Sequence, residues 1–186
     1  MTIKTLLIKT HVTMIKQFII LCLILAGITN DVRAQEKLQI AWPGEYKWKI
    51  ASDQKSGNTR MVELLVGNES FKNWTIIGTM LSLMGSTSVP VKQAMNATYT
   101  QTLKNAPQAK LKMIETGTKS GSPWILFRIE SPKFNNSAIP ESQLYYIIQG
   151  KSALYSNFVA VKQPALGVLF IEKWARVFKN STLVSK

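Results

Sequence analysis

The sequence predicts an α+β domain built on a mainly antiparallel sheet and packed by helices. Three observations carry that expectation. Strand-like segments come in runs, in the order ββααββββα, instead of alternating with helices one for one. Short turns containing Gly and Ser separate neighbouring strand segments. Three stretches repeat apolar residues every three or four positions, the spacing of one helix face.

Taken in order, residues 45–51 (EYKWKIA) alternate, with Tyr46, Trp48 and Ile50 on one side. The polar turn SDQKSGN and the apolar TRMVELLVG follow, which together read as a β-hairpin with a long loop. Next, Phe71, Trp74, Ile77, Leu81 and Met84 are spaced as on a helix, with Lys72, Thr75, Thr79 and Ser82 between them. The segment GNESFKNWT (67–75) is then a strand-to-helix corner, with Asn68 or Ser70 as the cap and Gly85 as the stop. A second helix fits 89–105, where Pro90 is tolerable in the first turn and Val91, Met95, Tyr99 and Leu103 recur; Pro107 closes it. Four strands follow at 109–116, 124–131, 143–149 and 153–161, and LYYIIQ, apolar on both faces, belongs at the centre of the sheet. A final helix near 165–180 repeats Leu166, Phe170, Trp174 and Phe178, with Glu172 and Arg176 as a surface pair.

The first 34 residues read differently. Lys4, Lys9 and Lys16 precede the apolar run FIILCLILAGI, and VRAQ puts small residues before a cleavage point between Ala34 and Gln35. Eleven apolar residues fall short of the roughly 20 that span a bilayer. The run is thus expected to be a signal peptide, with Met14 as an alternative start. No transmembrane segment is expected after its removal, and 152 of the 186 residues remain as a single α+β domain, 35–186. That part carries 19 Lys and Arg against 9 Asp and Glu, and all five Trp. The lone Cys (Cys22) and lone His (His11) both fall in the leader, so the remainder must rest on its apolar core without disulfides. Small exported animal domains lean on disulfides, which favours a bacterial periplasm or cell surface.

The pieces GNESFKNWT and ESQLYYIIQGKSALYSNFVAVK resemble segments of small secreted bacterial proteins of uncharacterised function. The element order is similar to the PsbP/Mog1-like α/β/α sandwich. That resemblance covers about half of the mature chain and implies an accessory or binding module, with no catalytic residues to carry over.

Without His or Cys, triad and Cys-His catalysis and the usual zinc, haem and iron–sulfur sites fall away, so neither metal nor cofactor is expected. Ser52-Asp53-Gln54-Lys55 matches S-x-x-K and Lys55-Ser56-Gly57 nearly matches K-T-G, but both lie within one polar turn. The acids, among them Glu36, Glu63, Glu115 and Glu141, are scattered singly and read as solvated surface. GTKSG (117–121) has no helix after it and is no phosphate loop. Five N-x-S/T matches, at Asn68, Asn73, Asn96, Asn135 and Asn180, read as chance in an Asn- and Ser-rich chain.

The basic excess yields one candidate binding feature. Strand alternation places Lys47 beside Lys49, and Lys110 beside Lys112, as a basic strand face suited to an anionic envelope component or an envelope partner protein. Trp48 falls on the face opposite these lysines and export argues against nucleic acid, so no nucleic-acid partner is expected. The expectation is therefore an exported, non-enzymatic accessory or binding domain. The alternatives are a hydrolase using carboxylates or a Ser/Lys pair, and a carrier of a small apolar ligand.

Overall fold

A computed structural model describes residues 36–185. The leader at 1–34, its cleavage between Ala34 and Gln35, the start at Met14, His11 and Cys22 all lie outside the described residues. Seven strands form one antiparallel sheet: β2 (Trp48–Ser56), β3 (Thr59–Val66), β4 (Ile76–Met84), β5 (Lys110–Lys119), β6 (Ser122–Ser131), β7 (Glu141–Gln149) and β8 (Ala153–Val161). They lie in the order β2-β3-β4-β8-β7-β6-β5. Helix α1 (Val91–Asn105) packs on one face and α2 (Val168–Lys179) on the other, while β1 (Glu36–Gln39) and β9 (Thr182–Ser185) make a separate two-stranded ribbon. The α+β class with a mainly antiparallel sheet packed by helices is the one the sequence predicts.

Parity along each strand sorts the core into two layers. On the α1 face, Val91 and Met95 meet Ile125, Phe127, Ile129, Tyr145 and Ile147. On the α2 face, Trp174 and Phe178 meet Trp124, Leu126, Leu144, Tyr146 and Tyr155. Strand β7 lies under both helices, which is why Leu144–Ile148 are apolar at every position and fully buried.

The helix expected over Phe71–Met84 is instead strand β4. It lies between β3 and β8 with both faces covered, so apolar residues occupy both parities and mimic a helical repeat. The β-branched Ile76, Ile77 and Thr79 favour the extended chain. Gly78 carries a further signal: a Cβ there would come within 2.6 Å of the Trp42 ring, so the glycine exists to admit an indole against the sheet. Before the strand, GNESFKNWT is a loop rather than a helical corner.

Two turns are tighter than expected. The polar SDQKS continues β2, and Gly57-Asn58 alone closes the hairpin, with Ser56 opposite Thr59. Likewise β5 runs on to Lys119, and Ser120-Gly121 turn with φ of 49° and 82°, the two positive values of a type I′ hairpin. Both strands are sheet edges, where polar side chains face water and cost the ladder nothing. Each edge also carries a bulge, at Ala51 and at Ile114, which discourages pairing with another chain. The second and last helices and the remaining strands stand within a few residues of their expected bounds. Glu172 and Arg176 are both exposed on α2, but no ion pair joins them among the described residues. The β1–β9 ribbon has no counterpart in the expected order.

Gly78→Ala is expected to displace Trp42 and cost about 1–3 kcal/mol, as overpacking does. Gly44→Ala, where no atom lies within 4 Å of the added carbon, is the neutral control in chemical denaturation.

Candidate functional site

Helix α1 covers β6 and β7 but stops short of β3, β4 and β8 on the same face. A cavity of about 110 Å³ remains there. Its floor is Met61 from β3, Ile77 and Leu81 from β4, and Phe158 from β8. Trp74 forms one wall and Phe134 with the C-terminal turn of α1 the other.

Both walls are held by local polar chemistry. The Asn73 Oδ1 accepts from the Ser70 amide at 2.9 Å and from its hydroxyl at 2.6 Å. Glu69 accepts from the Thr75 amide at 3.0 Å and from its hydroxyl at 2.5 Å. These bonds lock the loop on either side of buried Trp74, and the Lys162 ammonium lies 4.6 Å from that ring's centre. GNESFKNWT therefore places a tryptophan. On the other wall, the Asn135 amide donates to the Asn105 carbonyl at 2.8 Å and its side chain donates to the Lys104 carbonyl at 2.9 Å. This ties the loop after β6 to the end of α1 and sets Phe134.

The polar groups in the cavity are few. Glu63, Thr79, Phe158 and Tyr145 form one cross-strand row, each opposite the next. The Tyr145 hydroxyl donates to the Gln143 Oε1 at 2.6 Å, and the Gln143 amide donates to Glu141 at 2.6 Å. Burial pushes the Glu141 carboxyl up, opposed by the bond from Gln143 and by the charge of Lys162. Burial, reinforced by the Glu141 charge, also raises the Tyr145 phenol. Burial likewise raises the Glu63 carboxyl, against a hydrogen bond with Ser52. Glu63 Oε2 and Thr79 Oγ1 are buried without a hydrogen-bond partner among the described residues.

Glu63 is only 4% exposed and Glu36 is also buried, so these acids are not the solvated surface expected of them. Glu36 accepts from the Lys151 amide at 3.2 Å and ties β1 to the β7–β8 turn. The signal for Glu63 was its setting: it is the one acid inside the apolar run MVELLV, whose neighbours Met61, Val62, Leu64 and Leu65 are buried on both faces.

The chemistry weighed from sequence does not assemble. Glu63 and Glu141 lie three strands apart and four residues offset, about 20 Å between Cα atoms from strand spacing and rise. Glycoside-cleaving carboxylates stand roughly 5–9.5 Å apart. Ser52 and Lys55 point to opposite faces of β2, because three residues is an odd step on a strand. Among the described residues no three acidic, His or Cys side chains gather to hold a metal ion.

The four lysines are all exposed but do not share one surface. Lys110 and Lys112 stand on the same face of edge strand β5, opposite Glu130 and Arg128. Lys49 is on the other edge strand, β2, facing the α1 side with Trp48 opposite, and Lys47 precedes that strand in a left-handed turn with φ of 49°. Six strand spacings, about 29 Å, separate the two edges. No helix among the described residues is long and apolar enough to cross a membrane. No protein-family model matches this chain, and no curated protein matches it in sequence.

The raised Glu63 carboxyl has a definite linkage consequence. Below pH 4.5, its ordinary value, folded and unfolded chains both hold the proton. As pH rises, the unfolded chain ionises first, so this residue subtracts stability until the folded carboxyl also ionises. Glu63→Gln is expected to raise the melting temperature at pH 7 by about 2–4 °C, the equivalent of about 1 kcal/mol, and to leave it unchanged at pH 4. Melting curves at the two pH values check this.

Proposed function

We propose that the chain is an exported, non-enzymatic binding domain of the bacterial cell envelope, and that it holds a small apolar ligand between α1 and the β3-β4-β8 part of the sheet. The cavity carries this reading. Protein interiors pack with few voids larger than a water molecule. Here about 110 Å³ lined by Met61, Ile77, Leu81, Trp74 and Phe158 is left unfilled by the side chains of the described residues. An apolar space of that order suits a ring or a short alkyl segment rather than water. A few inward polar groups, Glu63, Thr79 and Gln143, give such a ligand an orientation.

The leader motif supports export, and the helix-on-each-face arrangement accords with the accessory modules of the PsbP/Mog1-like group. Contact with an anionic envelope component is assigned to the β5 edge, where Lys110 and Lys112 adjoin Arg128. It is a separate surface from the cavity.

Native mass spectrometry of protein purified from its own cells is expected to show a co-purified apolar molecule. Ser156→Phe, which fills the cavity from β8, is expected to lose that molecule while keeping its melting temperature within about 2 °C. A ligand retained by the filled variant would place binding elsewhere, and its absence from both would refute the reading.

A further inference from the structure

We propose that the ligand is an apolar primary amine, its ammonium seated between the Glu63 carboxylate and the Thr79 hydroxyl and its tail lying on Met61, Leu81 and Phe158. The inference rests on the ligand-binding reading above and narrows it to one chemical class.

Glu63 and Thr79 face each other directly across β3 and β4, a pairing that puts their Cβ atoms about 5 Å apart. Both are more than nine-tenths buried, both line the cavity, and each has an oxygen without a partner. A buried acceptor left unpaired is costly, and a carboxylate oxygen more so than a neutral one. A hydrogen-bond donor brought by the ligand satisfies both oxygens at once.

The surrounding charges select the donor. Among the described residues no lysine or arginine lines the cavity, whereas two carboxylates do. Arg60, three residues before Glu63, points to the other face and pairs with Asp53 at 2.7 Å. Lys162 lies against Trp74 and near Glu141, so the far carboxylate has a cation and an amide donor while Glu63 has only Ser52. The end of the cavity at Glu63 thus favours a cation and repels a fatty acid. An alcohol offers one donor to two oxygens; a primary ammonium offers three, and its bonds are charge-assisted. A quaternary ammonium has no N–H to give and would leave both oxygens unpaired.

Isothermal titration of the purified protein at pH 7 with octylamine, octanol and octanoate tests the assignment. Octylamine is expected to bind at least about tenfold more tightly than octanol, the equivalent of about 1.4 kcal/mol, with octanoate weakest. Glu63→Gln is expected to abolish the preference for amine over octanol. Thr79→Val, a variant that retains the carboxylate, is expected to reduce the preference without removing it. Octanoate binding as well as octylamine, or an amine preference that survives Glu63→Gln, overturns the inference and leaves the apolar site standing. No binding of any of the three overturns the site and the inference together.

Discussion

Among the described residues two helices cover the two faces of a seven-stranded sheet, and they are too narrow to cover them fully. Six strand spacings make the sheet about 29 Å wide, whereas a helix with its side chains is about 10–12 Å across. Each helix therefore shields little more than two strands, and both sit over the β6–β7 region. Whatever covers β3, β4 and β8 must come from loops, and the two faces meet this demand differently.

On the α2 face the segment between β1 and β2 supplies aromatic rings. Trp42 and Trp48 lie 5.2 Å apart at their ring centres, and Trp174 of α2 lies 5.7 Å from Trp42 and 5.6 Å from Tyr46. Lys173 sits 4.4 Å above the Tyr46 ring and pairs with Glu45 at 2.8 Å, joining helix to loop. Rings in edge and tilted contact fill space densely and add about 0.5–1.5 kcal/mol per pair beyond burial. The described residues contain no cysteine, and the stretch between β1 and β2 is held by this means. On the α1 face Trp74 and Phe134 frame a space instead of filling it. The candidate site is where the coverage runs short.

The parts of this architecture that were legible in the sequence are those in which one side chain pattern has one meaning. LYYIIQ, apolar at both parities, declared a central strand, and the fourfold repeat of Leu166, Phe170, Trp174 and Phe178 declared a helix. Strand β4 misled because a strand covered on both sides has no parity to show, and its apolar residues then fit a helical spacing by accident. Gly78 in its middle marked the close approach of Trp42, an event between distant segments that local spacing does not encode. The polar stretches at Ser52–Ser56 and Gly117–Lys119 read as loops because edge strands resemble loops in composition. Glu63 was visible only through its setting, one acid within MVELLV, a run buried on both faces at Met61, Val62, Leu64 and Leu65. Its junction with Thr79, Phe158 and Tyr145 comes from four strands meeting in register, and strand order is not written in any one of them.

A binding role depends on the α1 face holding an apolar cavity over β3, β4 and β8 while the α2 face is filled. Methyl resonances recorded under dissolved xenon test this most directly, since xenon enters apolar voids without needing a hydrogen bond. Shifts confined to Met61, Ile77 and Leu81 are the predicted result. Unmoved signals at those residues, or shifts centred on Leu144 and Val159 of the opposite face, would contradict it.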